Sequence, residues 1–296
     1  MWFKNLQIYR IAEWNITPAE LEEKLSRRAL QECLRMEMQS LGWITPREEG
    51  ESFVHVLGQH MLIALGVEKK LLPATVVNQQ AKERAVEMEQ QQGYKPGRKQ
   101  IKDIKEAVTI ELLPRAFSQQ RKTYAWIDPT GGWFVIDAPN LAKADELIET
   151  LFKSIDNVTL KPLKTSLSPS TAMTRWLSGG DLSSSFTIDQ HCELRGKNDE
   201  KSTVSYNHHV LDSEEIIRHV KAGKEVIKVA MTWQNKISFI LHENLQLKRI
   251  APLDILKEPV ETDEELFNSD FMIMTGELMQ LLPDVIDILG GEETTS

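Results

Sequence analysis

The segment 77–122 constrains the fold most, because it is too polar to form a core of its own. It contains 10 basic and 6 acidic residues. A turn at 93–97 divides it into two predicted helices, 81–92 and 100–112. Only the second helix carries an apolar stripe at helical spacing, formed by Ile101, Ile104, Val108 and Leu112. One thin stripe cannot support a core, so we predict that this helical hairpin projects from a larger body.

Apolar patterns on both sides of the hairpin predict that body. Residues 1–76 and 123–163 are expected to form a central α/β domain. It opens with a strand through Leu6, Ile8 and Ile11. A helix begins at Thr17-Pro18, runs from Ala19 to Met38 and ends before Gly42-Trp43. Further strands are predicted at 53–57, 61–65, 124–128 and 133–137, the last two joined by a Pro-Thr-Gly-Gly turn.

A stretch rich in Ser, Thr and Pro, from Thr165 to Thr174, predicts the boundary to a third region, residues 164–296. There we expect a helix with a capping box formed by Asp212 and Glu215. A three-strand meander across 226–250 and a last helix from Gly276 to Leu289, kinked by Pro283, should follow. The sequence therefore predicts an α+β fold with antiparallel sheets, a helical finger (77–122) and a sheet-rich base (164–296).

Composition favours a cytoplasmic chain. Its two cysteines, Cys33 and Cys192, are far apart in sequence, which is typical of a reducing compartment rather than a disulfide scaffold. No basic leader followed by an apolar stretch begins the chain, and no run approaches the ~18 apolar residues of a membrane span.

Motifs of common enzyme classes are missing from the sequence. There is no G-x-G-x-x-G, no phosphate-loop motif, no H-E-x-x-H and no G-x-S-x-G. The best metal candidate is His191-Cys192 with His208-His209, but neighbours on a strand point to opposite faces. Asp128 and Asp137 flank a hairpin and could meet across it. We predict a protein with no catalytic residues, no metal and no cofactor.

Charge is distributed unevenly along the chain. The net charge is −9, yet residues 254–296 hold 12 acidic residues and one basic residue, so the rest of the chain carries +2. DNA binding depends on local basic surface rather than on this sum. The simplest interpretation of the acidic end itself is a solvated helical face.

Two basic groups could bind phosphate. The first lies in the finger beside Phe117, which is placed in a loop-like stretch; its candidate residues are Arg98, Lys99, Lys102 and Arg115. The second comprises Arg218 and Lys221 on one helix face, with Lys224 and Lys228 predicted on the same side of the next strand. Solvated surfaces remain the alternative for both groups, and Phe117 could instead pack on the body or a partner subunit.

The sequence resembles the RdgC family of bacterial recombination-associated proteins along nearly its whole length. The resemblance is carried by several motifs in order. They are Met1-Trp2-Phe3-Lys4-Asn5-Leu6, Tyr9-Arg10, Gly42-Trp43, Leu112-Leu113-Pro114-Arg115-Ala116-Phe117-Ser118, Trp126-Ile127-Asp128, Ser213-Glu214-Glu215-Ile216, Gly223-Lys224, Leu247-Lys248-Arg249, Asp270-Phe271, Met274-Thr275-Gly276-Glu277-Leu278 and Leu289-Gly290-Gly291-Glu292.

This resemblance implies a ring-shaped homodimer that encloses duplex DNA without sequence preference and restrains the recombinase RecA at the nucleoid. Whether single strands also bind stays open. Phe117 matches an aromatic used in dimer closure or DNA contact, and Lys224 and Lys228 match basic positions. Where the family is commonly basic this chain has His208, whose imidazole is mostly neutral at pH 7. The rival hypotheses are a module that binds the recombinase directly and an enzyme acting on nucleic acid.

Overall fold

The computed structural model describes residues 1–48, 50–196, 202–211, 213–253 and 263–293. Twelve strands occur in these residues: β1 Asn5–Glu13, β2 Gln39–Ile44, β3 Val54–Leu57, β4 His60–Leu71, β5 Phe117–Asp128, β6 Trp133–Asp137, β7 Thr159–Pro162, β8 Phe186–Gly196, β9 Thr203–Asn207, β10 Lys224–Trp233, β11 Ile237–His242 and β12 Leu247–Pro252. Seven helices accompany them: α1 Pro18–Ser26, α2 Ala74–Gln92, α3 Arg98–Leu112, α4 Leu141–Ser154, α5 Pro169–Leu177, α6 Ser213–Lys221 and α7 Asp263–Ile288. The mixed α+β class predicted from the sequence is confirmed.

All twelve strands belong to one antiparallel sheet. Its order is β2-β4-β5-β6-β1-β12-β11-β10-β8-β9, with β3 added beside β4 and β7 beside β1. The strands before and after residue 164 meet where β1 pairs with β12, through Asn5 opposite Lys248 and Leu6 opposite Leu247. A further backbone bond, from Ile250 N to Lys4 O at 3.0 Å, extends this join. The division into central, finger and base domains remains a prediction.

Helices cover different faces of the sheet in its two halves. On one face of the N-terminal strands, α1 and α4 bury Leu21, Leu25, Leu147 and Leu151 against strand residues such as Phe134. On the other face, α5, α6 and α7 pack on the base strands around Trp176, Ile216, Phe271, Val229 and Trp233. The second cluster also contains Leu62 and Trp126, so it spans the join between the two halves.

Helix α7 contacts the sheet on both sides of the β1–β12 pairing. Met274 accepts the backbone N–H of Phe3, and the ring of Phe271 contacts that of His55 at 5.8 Å between centroids. Farther along the helix, Asp284 Oδ2 accepts the indole N–H of Trp233 at 2.7 Å, and Lys236 Nζ donates to Glu277. Helix α7 begins thirteen residues before the predicted start and continues through Pro283 without a break. Pro283 is exposed, while its neighbours Leu281, Leu282, Val285 and Ile286 are buried, so tertiary packing holds the helix together.

The finger consists of two helices at the far end of a long strand pair. Strands β4 and β5 pair over eleven residues, from Met61 opposite Ile127 to Leu71 opposite Phe117. Helices α2 and α3 connect these strand ends and share a small apolar cluster around Ala81, Ile104 and Val108. Two helices are confirmed here, although the first begins at Ala74 rather than residue 81.

Three predicted elements differ from the structure or lie outside the described part. Helix α1 ends at Ser26, not Met38, because the buried spacing of Leu21 and Leu25 is not continued. The chain instead returns along β2, where Trp43 and Leu30 bond through their backbones, so Gly42-Trp43 lies inside a strand. The Ser/Thr/Pro stretch contains α5, capped by the Ser168 side chain. The capping box at Asp212 lies outside the described residues.

Among the helices of the described ranges, not one has the length and apolar character required to cross a bilayer.

Truncating Phe271 tests the role of α7. Phe271 is fully buried at the centre of the cluster that spans the join. Phe271→Ala should lower the free energy of unfolding by about 3–5 kcal/mol, because it leaves a cavity that the packed core cannot close. Met272→Ala, at an exposed neighbouring position, should change it by less than about 0.5 kcal/mol. Urea unfolding followed by tryptophan fluorescence measures both, and a similar small loss for the two variants would contradict this account.

Candidate nucleic-acid interface

The base strands have one apolar and one polar face. On β10, Val229, Met231 and Trp233 belong to the core under the helices, so Lys228, Ala230 and Thr232 point to the opposite side. Pairing extends this polar side across the neighbouring strands: Lys228 lies opposite His242 on β11 and opposite Glu193 on β8. We call this polar side of the base sheet the open face. Its defining residues are Asp189, His191, Glu193, Arg195, Lys228, Ile240, His242, Glu243, Lys248 and Arg249.

Lys228 occupies the middle of the open face. Its Nζ donates to Glu193 Oε2 at 2.6 Å. On its other side lies His242, whose pKa is lowered to about 4 by burial and then by the charges of Lys248 and Lys228. Burial and the charge of Lys228 also lower the pKa of Lys248. The centre of the face is therefore crowded with cationic groups and holds one neutral imidazole.

Carboxylates on the same face are already engaged. Glu193 pairs with Lys228, Glu243 binds Arg195 through both oxygens at 2.5 and 2.8 Å, and Asp189 accepts a hydrogen bond from Thr232. No carboxylate in the described ranges forms an ion pair with Lys248 or Arg249. These two cations remain available for an external anion.

A shallow groove of about 620 Å³ continues the open face towards the sheet edge. Its lining includes His191, Asn207, His208 and Arg249. His191 Nδ1 and Asn207 Oδ1 lie 2.7 Å apart. His208, with φ of 51°, follows β9 in a left-handed conformation and reaches this groove. The structure thus brings Lys228 and His208, two of the residues predicted to bind DNA, onto one continuous surface.

The second predicted basic group is split by a β-bulge. Between Val226 and Lys228 the register with β8 shifts by one residue, so the core positions on β10 are Val226 and Val229, three apart. Lys224 consequently lies on the helix side of the sheet, where its Nζ donates to Ser202 Oγ at 2.6 Å. The prediction that Lys224 and Lys228 share one side is wrong, because alternation was counted without the bulge.

Arg218 and Lys221 also lie away from the open face. Helix α6 buries Ile216 against the core cluster on the helix side of the sheet. Arg218 is largely exposed, with its guanidinium 3.8 Å from Glu215, and Lys221 is exposed at the helix end. These residues form a cationic surface of their own, separate from Lys228.

The finger presents its cations to solvent. Arg98, Lys99 and Lys102 are exposed on α3, and Arg115 is exposed in a short 3₁₀ turn, Leu113–Arg115, that ends the helix. Arg98, Lys102 and Lys105 recur at spacings of four and three, so they form one stripe beside the buried Ile104.

Phe117 is the first residue of β5 rather than part of a loop. Phe117 pairs with Leu71, so β5 begins well before the strand predicted at 124–128. The prediction missed residues 117–122 because they are all exposed and show no alternation. The side chain of Phe117 is 84% exposed and that of Leu71 is 48% exposed. Together they form an apolar patch, which we call the Phe117 patch.

The structure does not bring the other candidate groups together as a metal centre in the described ranges. Asp128 is buried and accepts the N–H of Gly131, whereas Asp137 accepts those of Lys4 and Asn5. They lie at opposite ends of the β5–β6 hairpin, so the idea that they meet is wrong. Cys192 faces the core, where burial raises its pKa to about 12, and His191 faces the other way. No cluster of three metal-ligating side chains occurs among these residues.

Sequence reasoning missed His242, Lys248, Arg249 and Glu193 as parts of the interface. The signal was present in the meander, where Leu241 and Leu247 are core positions and His242 and Lys248 immediately follow them. Alternation would have placed His242 and Lys248 on the polar face, but it would not have shown that they lie beside Lys228.

Comparisons with known proteins agree with the resemblance noted in the sequence. A family model described as "Putative exonuclease, RdgC" matches residues 1–292. Recombination-associated protein RdgC of Herminiimonas arsenicoxydans is 52% identical over 298 residues, covering 99% of each chain. The protein of that name from Janthinobacterium sp. (strain Marseille) is 52% identical, and that from Bordetella pertussis is 51% identical, again with 99% of each chain covered. The chain therefore belongs to the RdgC family of recombination-associated proteins.

Proposed function

We propose that two copies of this chain close into a ring around duplex DNA, hold it without reading its sequence and thereby restrain RecA-dependent recombination at the nucleoid. The observation that carries the proposal is the open face. Two half-buried lysines, Lys228 and Lys248, and the exposed Arg249 stand on a broad sheet surface whose carboxylates are already bonded within the face. Such a surface suits phosphates, which attract cations regardless of base sequence.

The sheet also separates opposite charges. Acidic residues of α7, among them Glu277 and Asp284, bind Lys236 and Trp233 on the helix side of the base. Lys228 and Lys248 point to the other side. DNA on the open face would thus be shielded from these carboxylates by the sheet itself, which resolves how a chain of net charge −9 can bind a polyanion.

The finger supplies a second contact in this proposal. The stripe of Arg98, Lys102 and Lys105 on α3 is suited to a phosphate backbone because its spacing follows one helix face. Arg218, Lys221 and Lys224 are assigned a lesser role, since they lie on the helix side of the base sheet.

The Phe117 patch is the proposed dimer contact in the finger. A phenyl ring exposed over 84% of its surface beside a half-exposed leucine is costly in water. A twofold axis through the patch would bury both pairs of side chains at once. This role assigns Phe117 to dimer closure rather than to DNA.

Affinity for duplex DNA across a salt series tests the binding proposal. Wild-type protein should bind an arbitrary duplex, and log Kd should change steeply with log salt. Lys248→Ala and Lys228→Ala should each reduce the slope by about one unit. Lys224→Ala is the matched control on the opposite side of the sheet and should change it less. Absence of binding at ~50 mM salt would contradict the proposal.

The same samples address the rival functions. A nuclease would shorten the duplex when Mg²⁺ is added, whereas a ring-forming binder should leave its length unchanged. A module that binds the recombinase directly would still inhibit it on DNA too short to load a ring; the acidic end of the chain is the feature that favours this rival.

Self-association tests the dimer contact. Phe117→Ser should weaken dimerisation by tenfold or more, since burying an aromatic side chain contributes about 1.5–3 kcal/mol and the contact holds two copies. Phe152→Ser, at another exposed phenylalanine on α4, should leave it unchanged. Sedimentation equilibrium measures both variants. Equal dimer dissociation constants for wild type and Phe117→Ser would exclude the patch from the interface.

A further inference from the structure

We infer that Lys228, His242 and Lys248 form a phosphodiester site in which the carboxylate of Glu193 acts as a built-in counter-ion that DNA phosphate must displace. This inference rests on the proposed DNA binding and adds a regulatory element to it. It assigns a role to Glu193 and His242, which the proposed function leaves unused.

The pairing of the strands creates the site. Lys228 lies between Glu193 on one neighbouring strand and His242 on the other, in direct register with both. Cross-strand neighbours have Cβ atoms about 4.5–5.5 Å apart, so Lys228 adjoins Glu193 on one side and His242 on the other. Lys248 enters from β12, and it is close enough to influence the protonation of His242.

Glu193 takes the position that a phosphate oxygen would need. Its Oε2 lies 2.6 Å from Lys228 Nζ, and both side chains are largely shielded, with 22% and 32% of their surfaces exposed. Phosphate and carboxylate compete for the same ammonium donors because both are oxyanions. Without DNA, the Glu193 carboxylate neutralises Lys228. DNA binding replaces this internal ion pair with one between Lys228 and a phosphate.

His242 makes this exchange dependent on protons. The imidazole is neutral at physiological pH, because burial and two ammonium neighbours oppose its protonation. The nearby His191 also lowers the pKa of His242, more weakly, whereas the charge of Glu193 raises it. A bound phosphate brings negative charge to the same spot and favours the protonated form, so the DNA complex should bind more protons than the free protein. Linkage then requires affinity to rise as pH falls towards about 4.

Removing the counter-ion is the direct test. Glu193→Gln should tighten binding of an arbitrary duplex about three- to tenfold near 100 mM salt, because Lys228 is then free to pair with phosphate. Asp189→Asn removes the same charge from the same face, but its carboxylate is bonded to a hydroxyl instead of a lysine. It should change the affinity less. The gain from Glu193→Gln should disappear in a Lys228→Met background.

A pH series tests the imidazole. Between pH 8 and pH 5 the duplex affinity of wild type should rise more than that of His242→Gln. His219→Gln, on α6 and in contact with Tyr206, is the matched control and should behave as wild type. Thermal unfolding of each variant, measured without DNA, confirms that the fold is kept.

The outcomes separate this inference from the proposed function. Absence of duplex binding by wild type at ~50 mM salt would remove the proposed function and the site with it. Wild-type binding combined with equal effects of Glu193→Gln and Asp189→Asn would leave DNA binding intact and overturn the counter-ion role. Persistence of the Glu193→Gln gain in the Lys228→Met background would do the same.

Discussion

In the part of the chain that the structure describes, helices cover one face of the base strands and leave the other face open, and the candidate DNA-binding surface follows from this constraint. Strand alternation, interrupted by β-bulges, sends one set of side chains of β8, β10, β11 and β12 into the core beneath α5, α6 and α7. The intervening side chains must then be compatible with water, which explains why Lys228, His242 and Lys248 are found together. The surface proposed to bind DNA is therefore the face of the base sheet opposite its hydrophobic core.

This arrangement also places two carboxylates of α7. The helix must bury Phe271, Met274 and Leu278 against the sheet, so Glu277 and Asp284 are held on the helix side. A chain of net negative charge can thereby present lysine and arginine side chains on a face that the carboxylates of α7 do not share. The open face itself is finely balanced, because Glu193, Asp189 and Glu243 accompany its cations. Such a balance permits regulation by a single carboxylate.

Local patterns in the sequence predicted the element types well where burial is regular. The strand before Gly58 and the meander at 226–250 contain alternating stretches, whereas the hairpin at 124–137 consists of two short apolar runs, and the structure contains all three. Predictions failed where tertiary contacts decide the outcome. The end of α1 depends on backbone bonds between Leu30 and Trp43, and residues 117–122 pair with β4 although they carry no apolar pattern. Pro283 remains helical because buried neighbours on both sides hold it.

The candidate site was only half predictable for a similar reason. Lys228 was identified from its charge, but the bulge at Ile227 that separates it from Lys224 leaves no mark in the sequence. His242 and Lys248 needed the register between strands, which brings together residues fourteen and twenty positions from Lys228. The Lys228–Glu193 pair likewise depends on the order of strands in the sheet.

Lysine footprinting, with and without duplex DNA, tests the central claim that the open face is the DNA-binding surface. Acetylation followed by mass spectrometry reports each lysine separately. The account predicts that DNA protects Lys248 and Lys228, while Lys221 and Lys236 on the helix side react equally in both samples. Protection of Lys221 and Lys224 with unchanged reactivity at Lys228 and Lys248 would show that DNA binds the opposite side of the sheet.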